Sequence, residues 1–391
     1  MINLSDLENN RYSRLEIIPW WEQEILKKAK ILVIGCGALG NEIVKNLVMT
    51  GVGNIYVVDL DNIEFSNLTR SVLFRKEDLG KPKSETICKR AREINDGINI
   101  KYFNGNVFEI GLGIFKEMDI VICGLDNREA RLFVNQSCWK VNKPWIDGAI
   151  EILNGVARMF IPPDGICYEC TFSENDYKIL SKRKSCLLLG IEEIEQGKIP
   201  TTPTISSIIA GVQVQEAIKY LHKREDLILL NGKGFVFNGI NNDSYIVEYQ
   251  KRQDCQSHYT FDNIKKFNKN FSGTTINDLL NFGIEYFPDN NFIFEFNNEI
   301  VYELINPDEK IKIEYFGNLN LLKVKEITIN GNITSPQTFH SLPVNSGLFE
   351  KLKNKNLKEL KLPFNDILVL RNIEMTKVIQ VEFSSDNIFR E

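Results

Sequence analysis

The chain has no apolar run that approaches the roughly 18 residues needed to cross a bilayer, so no membrane partner is expected. Its first residues, MINLSDLENNRYSR, lack the apolar core of a secretory signal peptide, which predicts a cytoplasmic location. Excess positive charge is also missing: the formal net charge is −5, which gives no reason to expect nucleic acid as a partner. With 391 residues, the chain is long enough for two soluble globular domains.

Histidine is scarce, with three residues, and none of the eight cysteines lies after Cys255. In a reducing cytosol, closely spaced cysteines indicate metal binding or catalysis before they indicate disulfides. The spacing of the cysteines that are present is therefore informative about chemistry.

A glycine-rich loop follows the first short β-branched strand, residues 31–34. Gly35, Gly37 and Gly40 lead into a helical segment, and a second strand ends at Asp59. Such glycines allow the backbone to approach a phosphate, while the helix N-terminus offers N–H groups and Asp59 can accept hydrogen bonds from a ribose. The pattern predicts a Rossmann-like nucleotide-binding domain. Taken alone, it would suggest NAD or FAD before ATP.

Two later stretches favour ATP. Basic side chains beside a phosphate loop suit a triphosphate, and an aspartate that ends a buried strand can hold Mg²⁺. A dehydrogenase would need neither, although each residue taken singly is equally consistent with a solvated loop charge. The first stretch contributes Asp61, Asn67, Arg70 and Lys83, and the second contributes Asp126, Asn127 and Arg131.

The ordered segments RYSR, GCGALG, DLDNIEFSNLTR, GKPKS and GLDNREAR resemble the ubiquitin-activating enzyme superfamily. This superfamily includes the ThiF- and MoeB-like adenylyltransferases that act on the sulfur carriers of thiamine and molybdopterin synthesis. The resemblance runs from Arg11 to His258. It implies adenylation of a small protein's C-terminal carboxylate with release of pyrophosphate. The chain looks most similar to compact activating enzymes of bacterial antiphage conjugation systems.

The resemblance also implies roles for individual residues. Asp59 and the glycine loop would contact the nucleotide, and Asp126 would hold Mg²⁺. Asn67, Arg70 and Lys83 would neutralise phosphate charge. Arg14, the second arginine of RYSR, would reach into the partner protomer of a homodimer. The alternative for Arg14 is a surface charge with no catalytic role.

Four residues have the spacing of a split zinc site. Cys167 and Cys170 form one CxxC half, and Cys255 and His258 form a CxxH half far downstream. Two such halves complete a tetrahedral set of four protein ligands, which leaves no position for water and predicts a structural Zn²⁺. Related enzymes carry CxxC at both places, and histidine remains a zinc ligand. The alternative is a set of buried thiols without metal.

Cys186 is the remaining cysteine with a distinctive context, because it follows the basic cluster Lys182 to Lys184. Neighbouring positive charge favours a thiolate. In the superfamily, a crossover loop at about 171–203 in this chain carries the cysteine that receives the activated protein as a thioester. Cys186 is the only cysteine in that interval, which makes it the candidate nucleophile. An inert loop thiol is the alternative, and the long spacer before Pro200 fits the family pattern least well.

We expect residues 1–258 to form the adenylation domain and residues 259–391 to form a small α+β domain. Alternating apolar segments predict strands in this tail, and its size suggests a domain that recruits a conjugating enzyme. A dimerisation or lid domain is the alternative. The tail has no cysteine and therefore cannot be a working rhodanese, which some sulfur-carrier activators carry.

The leading functional hypothesis is activation of a ubiquitin-like protein with a C-terminal glycine, using ATP and Mg²⁺. Thioester formation on Cys186 and transfer to a conjugating enzyme would follow. The alternatives are a sulfur-carrier adenylyltransferase without thioester transfer, a cyclising dehydratase acting on tRNA, and an inactive partner of a heterodimer. An NAD-dependent dehydrogenase is a more distant reading.

Overall fold

The computed structural model describes residues 10–178, 200–306, 312–322, 328–329 and 332–391. Two large sheets dominate this part of the chain, and they are built from successive stretches of sequence. The first sheet ends with the strand that finishes at Glu248, and the second begins at Ile264. No helix within the described ranges is both long and apolar enough to span a membrane.

The first sheet has eight strands in the order β3-β2-β1-β4-β5-β6-β7-β8. The first five strands of this order run parallel, and β6, β7 and β8 continue antiparallel. The strands are β1 (Lys30–Ile34), β2 (Asn54–Asp59), β3 (Asn99–Asn104), β4 (Ile120–Cys123), β5 (Trp145–Glu151), β6 (Asn154–Phe160), β7 (Lys233–Asn238) and β8 (Asp243–Glu248). The helices of this part are α1 (Gln23–Lys28), α2 (Ala38–Met49), α3 (Lys83–Ile94), α4 (Leu112–Glu117), α5 (Arg128–Lys140) and α6 (Pro203–Leu221).

The central strands are apolar because helices cover both faces of the parallel sheet. All four residues of β4 are buried, as are four of the five residues of β1. Such continuous apolar runs are typical of parallel sheets, whose two faces both pack against helices. The sheet therefore has one hydrophobic core on each side.

Helix α6 begins with two residues that favour a helix start, Thr202 as its N-cap and Pro203 at its first position. The Thr202 hydroxyl accepts a hydrogen bond from the Ile205 amide at 3.4 Å. Its apolar residues are not all buried: Ile205 and Ile209 are buried, but Ile208 is 36% exposed. Ile208 instead borders an open groove between α6 and Leu229.

The second sheet has six strands in the order β11-β10-β15-β16-β9, with β14 paired to the other side of β10. Its β9 and β16 are parallel, and its other pairs are antiparallel. The strands are β9 (Ile264–Asn270), β10 (Phe292–Ile305), β11 (Lys312–Asn318), β14 (Ser335–Pro343), β15 (Leu368–Asn372) and β16 (Val378–Ser384), and a separate short hairpin contains β12 (Thr328–Ile329) and β13 (Asn332–Ile333). Two helices accompany it, α7 (Ile276–Tyr286) and α8 (Gly347–Leu352).

The two sheets are joined by backbone hydrogen bonds as well as by apolar packing. The Gly111 amide donates to the Phe364 carbonyl at 2.8 Å, and the Phe364 amide donates to the Glu109 carbonyl at 2.8 Å. A second connection lies at the outer edge of the first sheet, where Arg390 and Tyr102 exchange two backbone hydrogen bonds of 2.8 Å. The second sheet is therefore attached to the first at two separate places.

Candidate nucleotide and metal sites

Two of the three glycines around the start of α2 are required for steric reasons. Gly35 has a φ of +93°, and a Cβ there would lie 2.6 Å from the Gly124 carbonyl oxygen. A Cβ on Gly40 would lie only 1.8 Å from the Gly35 carbonyl oxygen. A Cβ on Gly37, in contrast, would meet no atom within 4 Å. Gly35 and Gly40 are thus required by the fold, whereas Gly37 faces open space where a nucleotide can approach the backbone.

Asp59 ends β2 beside this loop and is held by two backbone amides. Its Oδ2 accepts from the Cys36 amide at 2.6 Å, and its Oδ1 accepts from the Asp61 amide at 2.7 Å. Burial raises the pKa of Asp59, while the Lys83 charge and these two amides oppose that rise. The carboxylate is therefore fixed in orientation at the carboxyl end of the strand.

Lys83 provides positive charge next to the same loop. It is the first residue of α3 and is 9% exposed, and its Nζ lies 2.8 Å from Asp61 Oδ2. Burial lowers the pKa of Lys83, but the Asp59 and Asp61 carboxylates outweigh burial and raise it above its ordinary value. Lys83 therefore remains charged between two carboxylates, in a position to bind an anion.

The segment between β2 and α3 contains the other two predicted phosphate residues. Asn67 is buried, and its Oδ1 accepts from the Glu64 amide at 2.9 Å within a capped 3-10 turn. Arg70 follows this turn and donates from Nη1 to the Ser66 carbonyl at 3.0 Å. The Asn67 side-chain oxygen is thus used to shape the turn that presents Arg70.

Asp126 is exposed in the loop that follows β4, the strand beside β1. The next residue, Asn127, caps α5 by accepting from the Ala130 amide at 2.8 Å. Arg131 donates to the Leu125 carbonyl and, at 3.2 Å, to the Gly148 carbonyl. These contacts hold the loop that carries Asp126 at the carboxyl edge of the sheet.

The interpretation of Arg131 as a phosphate ligand needs correction. Its Nε donates to Asp147 Oδ1 at 2.9 Å, and Arg158 donates to Asp147 Oδ2 at 2.5 Å. Asp147 is fully buried, so two arginines are needed to balance and orient its charge. Arg131 therefore supports the Asp126 loop from below the site.

Arg14 is exposed on the segment that precedes α1. Neighbouring residues anchor that segment: Arg11 donates to the Ile94 carbonyl at 2.8 Å, and Tyr12 accepts from the Asn95 side chain at 2.9 Å. No contact within the described chain joins Arg14 to the nucleotide site. Cys186 lies outside the described residues.

The four predicted metal ligands come together despite their separation in sequence. The ligand atoms of Cys167, Cys170, Cys255 and His258 all lie within 4.8 Å of one another. Cys167 Sγ is 3.7 Å from Cys170 Sγ and 3.4 Å from Cys255 Sγ, and Cys170 Sγ is 3.4 Å from His258 Nε2. A tetrahedron with metal–sulfur bonds of about 2.3 Å has edges of about 3.8 Å, so the cluster has the size of a metal site.

Surrounding side chains orient the cluster. The Trp139 ring stacks on His258 with a centroid distance of 4.7 Å. The buried Glu169 carboxylate accepts from Ser257 and, at 3.0 Å, from the Tyr177 hydroxyl. Trp139 lies on α5, whose other end follows Asp126. The Cys/His cluster and the candidate nucleotide site thus lie at opposite ends of α5.

The mixed sheet, the glycine loop, the fixed Asp59 carboxylate and the charged Lys83 together define a Rossmann-like domain with a candidate nucleotide site, next to a Cys/His cluster. The family comparison agrees: residues 10–257 match the model of the ThiF family. The chain belongs to the ThiF family, for which ATP binding is expected.

Similar curated proteins fall into two groups. The chain is 36% identical over 166 residues to a NEDD8-activating enzyme E1 catalytic subunit of Arabidopsis thaliana. This alignment covers 39% of this chain and 37% of that protein. It is 36% identical over 174 residues to a sulfur carrier protein adenylyltransferase of Thermus thermophilus. This alignment covers 42% of this chain and 64% of that protein. The chain thus spans less than two thirds of either relative's length.

Among solved structures, the chain is similar to E. coli MccB with ATP, with a TM-score of 0.54 and 27% identity. The similarity covers 64% of this chain and 74% of that chain. Sequence, fold and site therefore agree on the family, while its members act on different substrates.

Proposed function

We propose that the protein activates a ubiquitin-like protein by adenylating its C-terminal glycine. A carboxylate oxygen of that glycine attacks the α-phosphorus of ATP, and the bond to the β-phosphate breaks as pyrophosphate leaves. The observation that supports this most directly is the charged Lys83 between Asp59 and Asp61, beside the open Gly37 backbone. Similarity to NEDD8- and SUMO-activating enzymes favours a ubiquitin-like substrate.

Each residue of the site has a role in this step. Asp59 binds the ribose through its fixed carboxylate, and the glycine loop lies against the nucleotide. Lys83 and Arg70 stabilise negative charge that develops on the phosphates, together with Asn67. Asp126 holds Mg²⁺, which would neutralise phosphate charge when bound.

We propose Zn²⁺ as the metal of the Cys/His cluster, with a structural role. Three cysteine sulfurs and one imidazole nitrogen within 4.8 Å of one another match the ligand preference of Zn²⁺. All four positions are filled by protein ligands, so the metal has no position for substrate. It would fix the segments around Cys167 and Cys255 to the end of α5.

The second step of the proposal is thioester formation on Cys186. The thiolate attacks the acyl carbonyl of the adenylate, forming the thioester and releasing AMP. This assignment rests on the sequence position of Cys186 within the crossover loop. A conjugating enzyme would then accept the small protein from Cys186, and the domain of residues 259–391 would recruit it.

The test of this function uses ATP, Mg²⁺ and a purified small protein that ends in glycine. We expect ATP–pyrophosphate exchange that depends on the small protein, and an adduct that reductant removes. The Cys186→Ala variant should keep the exchange but lose the adduct, because adenylation precedes capture. Adding a conjugating enzyme should discharge the wild-type adduct.

Cys88→Ala is the matched control, because Cys88 is a buried thiol on α3, outside the crossover-loop sequence. It should keep both the exchange and the adduct. Absence of exchange with any glycine-ended protein would remove the proposed function. An adduct that persists in Cys186→Ala would remove only the thioester step.

We also propose a homodimer in which Arg14 completes the partner's nucleotide site. This accounts for an exposed arginine on an anchored segment away from its own site. Arg14→Ala and Asp126→Ala should each be inactive alone. When mixed and allowed to exchange subunits, they should regain about a quarter of wild-type exchange activity, since half of the dimers are mixed and each has one intact site. No recovery in a mixture with demonstrated heterodimers would refute the trans role.

A second candidate function is supported by the sulfur carrier protein adenylyltransferase of Thermus thermophilus. The alignment with this chain covers 64% of that protein. In that case the substrate would be a sulfur carrier protein, and the acyl adenylate would be the final product. Exchange that depends on a sulfur carrier, without an adduct on Cys186, would favour this function over the first.

A further inference from the structure

One buried amide connects three parts of the nucleotide site that lie apart in sequence. Asn41 is the residue directly after the last glycine of the loop, on the first turn of α2, and it is fully buried. Its Nδ2 donates to the Cys36 carbonyl at 2.8 Å and to the Gly37 carbonyl at 3.0 Å. Its Oδ1 accepts from the Leu73 amide at 2.9 Å.

These bonds hold the Cys36 peptide from both sides. The Cys36 amide donates to Asp59 at 2.6 Å, and the Cys36 carbonyl accepts from Asn41. The loop is therefore fixed between the ribose-side carboxylate and the helix that follows. Because all three polar groups of the Asn41 amide are used, replacing it leaves buried backbone groups without partners.

The third bond extends this connection to the phosphate side. Leu73 is three residues after Arg70 and is buried in the core beneath the sheet. The bond from its amide to Asn41 therefore sets the distance between the glycine loop and the segment that presents Arg70. Within the described residues, Leu73 makes no hydrogen bond to Asp59 or Asn67 that could replace its bond to Asn41.

We propose that Asn41 is a positioning residue that holds the glycine loop and Arg70 at the separation the nucleotide phosphates require. This inference rests on the proposed function, because it assumes that Arg70 binds phosphate. Asn41 does not touch the nucleotide. It acts by fixing the separation between the loop and Arg70, so most of the effect of its replacement on nucleotide binding should require Arg70.

The test is a double-mutant cycle on the full chain, with a non-hydrolysable ATP analogue and Mg²⁺ in a calorimeter. Asn41→Ser should weaken binding about tenfold, since one to two hydrogen bonds are lost. Arg70→Ala should weaken it by a similar factor or more. The double variant should bind nearly as well as Arg70→Ala alone, because the two residues act as one unit. Asn46→Ser, on the same helix, is the matched control and should bind like the wild type.

Each outcome of this cycle is decisive. Equal binding by Asn41→Ser and the wild type, or losses that multiply in the double variant, would overturn the positioning role. A wild-type chain that does not bind the analogue would remove the proposed function, and this inference with it.

A measurement on the unmodified protein covers the case in which Asn41→Ser does not fold. Binding of the analogue should slow hydrogen exchange of the amides in residues 70–74 as well as in the glycine loop, because Asn41 couples the two. Protection confined to the loop would contradict the coupling.

Discussion

Replacing Lys83 with methionine should weaken binding of an ATP analogue about 100-fold and abolish pyrophosphate exchange. Methionine preserves the length of the side chain but removes the positive charge that pairs with Asp61 and offsets the charge of Asp59. Without Lys83, the two carboxylates face the triphosphate directly and repel it. Calorimetry with Mg²⁺ and the analogue measures the first effect, and the exchange assay measures the second.

Lys89→Met is the matched control for this experiment. Lys89 lies on the same helix but is exposed, so its replacement should leave nucleotide binding unchanged. A melting curve of Lys83→Met close to that of the wild type would show that the fold is intact. Tight analogue binding by Lys83→Met would contradict the placement of the triphosphate beside Asp61.

Loss of the metal should have the largest effect on stability. We expect Cys170→Ala to lower the metal content from one zinc ion per chain to nearly none and to lower the melting temperature by about 10 °C or more. The reason is that the proposed Zn²⁺ would hold Cys167 and Cys170 to Cys255 and His258, which are far apart from them in sequence. Metal analysis after dialysis and thermal unfolding measure the two effects.

The control for the metal variant is again Cys88→Ala, which removes a buried thiol outside the cluster. It should cost about 1 kcal/mol through a small cavity and leave the metal content unchanged. A Cys170→Ala protein that still retains one zinc ion per chain would refute the four-ligand site. A chelator should destabilise the wild type and leave Cys170→Ala unaffected.

The nucleotide-binding half could be predicted from sequence because several local signals agree there. The strand before Gly35 and the strand that ends at Asp59 both occur where the pattern indicates. The Cys/His cluster was also predictable, since ligand spacing restricts which residues can meet.

Other features depend on tertiary contacts that local patterns do not encode. The strand β9 contains five Asn and Lys residues among seven, and β14 begins and ends near proline, so neither resembles a buried strand. Arg131 looks like a phosphate ligand until its partner Asp147 is seen, sixteen residues away on β5. Asn41 could have been suspected only because a polar residue interrupts the apolar face of α2.

The two attachments between the sheets restrict how the second sheet can move. Besides the Gly111–Phe364 contact, the Phe389 ring packs against Tyr56 and Phe103 at centroid distances of 5.0 and 6.4 Å. A body fixed at two points can still rotate about the line that joins them, but Lys140 on α5 also donates to Asn297 on β10 at 2.8 Å, which adds a third attachment. Any protein bound to the second sheet would therefore be held at a nearly constant distance and angle from the nucleotide. A partner bound there could contact the nucleotide site only if the partner itself were long or flexible enough.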